Sequence, residues 1–240
     1  MISPSLTRLA GNNDSSGPAT LQVEVIADLI CPWCYLGKRR LDDALSAVHG
    51  PSSVSWYPFQ LNPGMPGSGM AIEEYLASKF GDPRELQPAL AELTLAGKAE
   101  GINFRFDKLD RVPNTLNAHR VMQLAESSGA DTSVLAEDIL RGFFEHGLDI
   151  ADRDVLGDLA APHGITVRDI HETLDNDQSR RLVLSQEAQV RQSGVTGVPD
   201  FLVNKRLFVV GAQSTDNLVR VFDRVMFGEE SDLPVSPTVH

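Results

Sequence analysis

Cys31 and Cys34 are the two cysteines of this chain, separated by Pro-Trp in the stretch LQVEVIADLICPWCYLGKRRLDDAL. A C-x-x-C pair has three uses, and the flanking sequence bears differently on each. As a structural disulfide it closes a loop so short that it removes only about 2 kcal/mol of unfolded-chain entropy, and a reducing compartment would open it. As half of a zinc site it needs further ligands. There is no second C-x-x-C, and the histidines at 49, 119, 146, 163, 171 and 240 form no H-x₃₋₅-H pair, so no metal is expected. As a redox dithiol it needs a strand before it and a helix that carries it.

That context is present. Leu21–Ala27, with Val23, Val25 and Ile26, is β-branched and too short for a helix. Pro32 suits a first helical turn, where a missing N–H costs nothing, and Leu36, Leu41, Ala44, Leu45 and Val48 then recur at helical spacing up to Gly50-Pro51. Another strand is expected over Val54–Leu61. Cys31 therefore falls at a helix mouth, where unpaired N–H groups and the positive end of the dipole favour a thiolate. The expectation is an exposed, attacking Cys31 and, one turn further in, a buried Cys34 that resolves the mixed disulfide. Pro32 and Trp33 restrict the ring and control access to it.

Composition bears on partners and compartment. The 240 residues carry 33 Asp+Glu against 21 Lys+Arg, a formal charge of −12, which argues against a nucleic-acid backbone or an anionic membrane as partner. No apolar run approaches the ~18 residues of a membrane span. Residues 1–19 lack the apolar core of a signal peptide, with Gly, Asn, Ser and Pro in Gly11–Pro18, and are expected to be a mobile leader. A cytoplasmic protein is expected, with a loose tail over 229–240.

The rest of the chemistry lies far along the chain. A helical stretch over Arg180–Gln192 precedes SGVTGVPDFLVNKRLFVVGAQS, in which Phe201–Val203 and Leu207–Val210 read as strands around an Asn204-Lys205 turn. Val198-Pro199 opens the first of them, a place where an ordinary trans proline is also at home.

Taken in order, Asp28–Lys38 (DLICPWCYLGK), Pro113–Arg120 (PNTLNAHR), Gly194–Pro199 (GVTGVP) and Gly211–Gln213 (GAQ) resemble the DsbA-like thioredoxin family, in particular its cytoplasmic FrnE-like branch, which is related to 2-hydroxychromene-2-carboxylate isomerases. The resemblance implies an α/β thioredoxin fold, a central mixed sheet flanked by helices, with an inserted all-helical subdomain. Residues 20–62 and 178–228 would form the thioredoxin domain and 63–177 the insertion, capping the dithiol face. It also implies that Pro199 is cis, packed against the dithiol, and that the Val198 backbone pairs with a substrate strand beside Cys31. The activity implied is thiol-disulfide exchange with a disulfide-bearing protein or a small thiol. No bound cofactor is implied, glutathione is a candidate co-substrate, and monomer and homodimer both stay open. So does redox direction, because the fold hosts potentials from about −270 to −120 mV.

Residues 63–177 read as helices over Ala71–Phe80, Pro83–Gly101, Asn114–Ser128, Thr132–Gly147, Asp152–His163 and Val167–Asp175, each with apolar residues at i, i+3 or i+4 and a stop after it. The Asn-Pro-Gly-Met-Pro-Gly-Ser-Gly stretch, 62–69, is expected to be a mobile loop at the rim of a substrate cleft.

Several side chains have competing readings. Asp28 either takes the Cys34 proton through a water or caps the helix. Glu24 is a weaker alternative, since a strand acid can face outward. Asn114 and His119 either line the cleft and hold substrate or serve structure, with Asn114 or Thr115 as a helix N-cap. Lys38, Arg39 and Arg40 read as a solvated face with Asp42 and Asp43 as partners. Asp200 stands where relatives carry an apolar residue or Thr; facing the dithiol, it would raise the Cys31 pKa and make the protein more reducing. A different function also stays open. Relatives with Ser in place of Cys31 use the helix N-terminus to hold glutathione for isomerase or transferase chemistry on a small molecule. A binding module without turnover would have no need of the dithiol.

Overall fold

The computed structural model describes residues 20–228; the expected leader over 1–19 and the tail over 229–240 lie outside the described residues. The chain runs β1 (Leu21–Ala27), α1 (Pro32–Ala47), β2 (Ser52–Pro58), β3 (Met70–Ala71), α2 (Ile72–Phe80), α3 (Gln87–Ala99), β4 (Arg111–Val112), α4 (Leu116–Ser127), α5 (Thr132–His146), α6 (Arg153–Ala160), α7 (Val167–Asp175), α8 (Asp177–Gln192), β5 (Asp200–Val203), β6 (Leu207–Val210) and α9 (Thr215–Phe227).

Four strands form a mixed sheet in the order β2-β1-β5-β6. β1 is parallel to β2, with Val25 opposite Trp56, and antiparallel to β5, with Val25 opposite Phe201. Strand alternation sends Val23, Val25, Phe201 and Val203 to the face covered by α1 and α9, where they pack with Cys31, Cys34, Leu41, Ala44, Leu218 and Phe222. Ile26 points to the other face, with Phe59, Val190 and Val195. The β5–β6 hairpin turns through 204–206, with Asn204 and Lys205 both at positive φ of 48° and 55° and the Arg206 N–H bonded back to the Val203 carbonyl at 3.0 Å, the backbone signs of a type I′ turn. Asn204 also accepts from the Gln22 amide at 2.6 Å, which ties the turn to the start of β1.

Helices α2 to α7 fall in the stretches expected to be helical, except that Pro83–Leu86 is a separate 3-10 turn before α3. Met70–Ala71 pairs with Arg111–Val112 as a short antiparallel ladder that helical periodicity could not show. Nor is the 62–69 segment loose. Met65 is buried, its N–H bonds to the Asn62 carbonyl at 3.0 Å, and its own carbonyl accepts from Asn114 Nδ2 at 2.6 Å. The largest apolar core joins the two parts of the chain: Leu29, Ile30, Tyr35 and Leu36 pack with Phe104, Val121, Ile139, Phe143 and Phe144. Tyr35 stacks on Phe144 at 6.2 Å and meets Phe104 edge-on at 5.9 Å, so the first turns of the dithiol helix are part of the helical region's own core.

Candidate active site

Cys31 is the N-cap of α1 and Pro32 its first residue. The Cys31 carbonyl accepts from the N–H groups of Cys34 and Tyr35 at 3.0 and 3.2 Å, while the Cys31 N–H bonds to the Asp28 carbonyl at 3.2 Å. These bonds fix the two cysteines one helical turn apart with reduced thiols. Cys34 is 1% exposed. Burial raises its pKa well above the ordinary thiol value, and the neighbouring Cys31 adds to this; the Asp28 N–H opposes the shift and the Asp28 carboxylate reinforces it.

Cys31 departs from the expected exposure: it is only 3% exposed, and Trp33, at 37%, is the open residue of the motif. The cause is the distant Val198-Pro199 segment, which lies over it. The Val198–Pro199 bond is cis, and the Cys31 thiol points at the Val198 carbonyl oxygen from 3.7 Å. Val198 is half-buried and Pro199 buried. Gly37 lets this segment sit down on the helix, because a Cβ there would meet Pro199 Cγ at 3.0 Å and Phe201 Cζ at 3.3 Å. The GAQ motif fastens the other side. Gly211, at φ 78°, donates to the Pro199 carbonyl at 2.8 Å, and the Ala212 carbonyl accepts from Arg40 Nη1 at 2.8 Å.

The acids sort themselves by strand face. Asp28 is fully buried; its Oδ2 accepts from the Leu61 N–H at 2.7 Å and its Oδ1 lies 3.4 Å from His119 Nε2. Asp200 does not face the dithiol. Its neighbour Phe201 takes that side, so Asp200 falls beside Ile26 on the opposite face, where it accepts from the Gly211 N–H at 3.4 Å, and burial raises its pKa to about 6. The expected tuning of Cys31 by Asp200 is thus overturned by the pleat itself. Glu24 shares that far face, half-buried with its pKa raised by burial and partly offset by Lys205.

His119 is likewise turned inward, 6% exposed against Asp28, rather than presented to a substrate. Asn114 does line a cleft of about 370 Å³, together with Gln60, Met65, Asn117, Arg180 and Leu184. Its own amide is engaged within the chain, Oδ1 accepting from the Leu116 N–H at 2.9 Å and Nδ2 donating to the Met65 carbonyl, so it shapes the wall from the residue before Thr115, the N-cap of α4.

Sequence reasoning missed Glu137. Lys38 is 5% exposed, not solvated, because its Nζ pairs with Glu137 Oε2 at 2.9 Å as well as with Asp42 at 2.6 Å. Arg39 and Arg141 approach the same carboxylate at 3.2 and 3.1 Å. The Tyr35 hydroxyl lies 2.9 Å from Glu137 and 2.8 Å from Glu145. Burial alone would raise the Glu137 pKa; Lys38, Arg39 and Tyr35 outweigh it and hold the carboxyl below its ordinary value. The available signal was Tyr35 and Lys38 at i, i+3 on one helix face, which called for a buried acid without saying from where.

Known proteins place this arrangement. The model of the DSBA-like thioredoxin domain matches residues 22–223. The chain is 22% identical over 214 residues to the uncharacterized protein YwbO of Bacillus subtilis, covering 88% of this chain and 98% of that one. Among solved structures, one described as a probable DsbA oxidoreductase from Streptomyces coelicolor superposes with a TM-score of 0.77 at 28% identity, over 91% of this chain and 94% of that one. The cytosolic disulfide reductase DsbM of Pseudomonas aeruginosa, determined with GSH, shares the fold at TM-score 0.60 and 18% identity, over 85% and 98% of the two chains. A 2-hydroxychromene-2-carboxylate isomerase shares it at 0.65 and 13%, over 85% and 95%. With a C-x-x-C at the mouth of α1 facing a cis proline, and a family model spanning nearly all the described residues, the chain belongs to the DSBA-like thioredoxin domain family.

Proposed function

We propose that this oxidoreductase exchanges disulfides with a protein or small-thiol client, Cys31 entering and Cys34 resolving. The observation that carries this reading is the asymmetry of the pair. Cys34 is sealed in the core with its thiolate disfavoured, while the Cys31 sulfur sits at the helix mouth against the Val198 carbonyl. An incoming client lies along Val198, taking over its backbone groups in place of the thiol contact. The Cys31 thiolate attacks one client sulfur and the other leaves as a thiolate. Cys34 then gives up its proton and attacks Cys31 Sγ, which releases the client reduced and leaves the Cys31–Cys34 disulfide. Asp28, whose carboxylate charge acts on Cys34, accepts that proton through a water. Pro32 and Trp33 set access to Cys31. A reducing compartment such as the cytoplasm suits a dithiol that starts the cycle reduced; among the described residues no helix is long and apolar enough to cross a membrane.

The test is reduction of insulin disulfides by wild type, Cys31→Ser and Cys34→Ser. Both variants lose turnover on this reading; undiminished insulin reduction by Cys31→Ser sinks it. A second reading, glutathione-dependent chemistry on a small molecule, is favoured by the cleft at Gln60, Asn114, Asn117 and Arg180, where Arg180 offers a cation to a small peptide carboxylate. It predicts glutathione-dependent turnover that survives Cys31→Ser.

A further inference from the structure

Asp28 and His119 come from separate elements, one from the loop before the dithiol and one from α4, and meet in the protein interior. Asp28 Oδ1 and His119 Nε2 are 3.4 Å apart. Both atoms are buried, and neither has a hydrogen-bond partner among the described residues. Leaving a buried acceptor and a buried ring nitrogen in this state is costly for a fold. It is suited to a place where a proton must come and go. On one side of the pair is Cys34, buried like Asp28 and linked to it through Cys31, whose N–H bonds to the Asp28 carbonyl at 3.2 Å and whose carbonyl accepts from the Cys34 N–H at 3.0 Å; the Asp28 carboxylate opposes the Cys34 thiolate. On the other side His119 lines a small cleft with Trp56, Tyr57, Gln123, Glu126 and Gln186; about 20 Å³ of it is open to the centre of a water, room for one ordered molecule.

We propose that Asp28 and His119 form a proton relay that carries the Cys34 proton between the buried thiol and the cleft. The proposal rests on the reading of Cys34 as the resolving thiol. In the mixed disulfide, the Cys34 S–H gives its proton to the Asp28 carboxylate through a water. The resulting thiolate attacks Cys31 Sγ, the bond from Cys31 to the client breaks, and the client sulfur leaves with the electron pair. The client is reduced and the cysteine pair oxidised. Asp28 then passes the proton to His119 Nε2, and the imidazolium releases a proton to water in the cleft. When the pair is reduced again, the same path runs inward. His119 touches no reacting sulfur; it is a positioning residue that acts through Asp28.

Few other charges act on the ring. β2 contributes Tyr57 to the cleft and α4 itself Glu126. From α8 comes neutral Gln186, paired with Gln123 at 3.2 Å, while the neighbouring Glu187 is engaged by the Gln60 N–H at 2.8 Å and by Arg191 at 2.7 Å. α5, α6 and α7 meet α4 largely through apolar residues such as Ile139, Leu156 and Ile170. Arg120 on α4 is tied to the carbonyls of Thr173 and Asn176 at 2.6 and 2.9 Å.

Stopped-flow reaction of the reduced protein with dithionitrobenzoate separates the steps, because the first thionitrobenzoate reports attack by Cys31 and the second reports resolution by Cys34. His119→Gln is expected to slow the second release about tenfold or more relative to the first, the low end for a lost acid–base group, and to flatten its pH dependence. Asp28→Asn is expected to slow the same step, and the double variant to be no slower than Asp28→Asn. An unchanged second release with a wild-type pH profile in His119→Gln overturns the relay, and so do slowings that multiply in the double variant. Should His119→Gln fail to fold, His119→Asn takes its place in the same comparison. If the wild type releases one equivalent, Cys34 is not the resolving thiol and both readings fall together.

Discussion

The Cys31 thiol and the Val198 carbonyl oxygen stand 3.7 Å apart across 167 positions of sequence. The contact exists because α1 approaches the Val198-Pro199 segment without a side chain between them. Gly37 occupies that point, where an added Cβ meets Pro199 Cγ at 3.0 Å. A thiol in this place is shielded yet lies beside backbone groups that an extended client can use.

Gly37 is therefore a position where two effects oppose each other. Alanine gains about 1 kcal/mol of helix propensity over glycine, and Pro199 has to give by only a few tenths of an ångström. Gly37→Ala is expected to be close to neutral in stability. Gly37→Val adds branched bulk against both Pro199 and Phe201, and overpacking of this kind costs about 1–3 kcal/mol. Urea unfolding should show the loss, and the rate of Cys31 alkylation should change with it as the segment is pushed off the helix.

Glu137 fastens the dithiol helix to α5. Its depressed pKa means that the folded protein holds the ionised form more firmly than the unfolded chain does. The stabilisation is present above the unfolded value of about 4.3 and is lost as pH falls through the folded value. Glu137→Gln leaves Lys38 with Asp42 alone and is expected to cost about 2–4 kcal/mol at neutral pH. The gap from wild type should narrow in acid. Tyr35→Phe should cost about 1–2 kcal/mol. Equal stability of Glu137→Gln and wild type at neutral pH would remove Glu137 from this role.

Asp200 works with the opposite sign. Its folded pKa of about 6 lies above the unfolded value of about 3.9, so the folded state binds the proton more tightly. The benefit is full below the unfolded value, declines as pH rises, and is gone above about 6, where the buried carboxylate is charged. Asp200→Asn keeps an acceptor for Gly211 and is expected to stabilise the protein by about 1–3 kcal/mol at pH 8, on the order of the shift at 1.36 kcal/mol per unit. It should give little or nothing near pH 4. Its redox midpoint should stay at the wild-type value, because the side chain faces away from the sulfurs.

The contrast between Asp28 and Asp200 shows what the sequence could carry. β1 was legible to its ends, because a β-branched run before a helix mouth has few other uses, and the helices of 63–177 followed from apolar spacing. The side chains at the dithiol were legible where they are local to it: Cys31, Cys34 and Asp28 are fixed by one strand, one turn and one helix. Asp200 failed because its face depends on the register of β5 against β1, which alternation within four residues does not determine. His119 and Glu137 depend on how α4 and α5 lie on the sheet, a tertiary arrangement with no local signature. The burial of Cys31 is of the same kind, set by a segment more than 160 residues away.

The most direct measurement of the central claim is mixed-disulfide trapping. Reduced Cys34→Ser and Cys31→Ser are each mixed with insulin, and the adducts are located by mass spectrometry of the digested protein. Dithiol exchange with Cys31 entering predicts a stable insulin adduct on Cys31 in Cys34→Ser and essentially none in Cys31→Ser. An adduct forming on Cys34 in Cys31→Ser as fast as on Cys31 in Cys34→Ser, or no adduct on Cys31 at all, would contradict it.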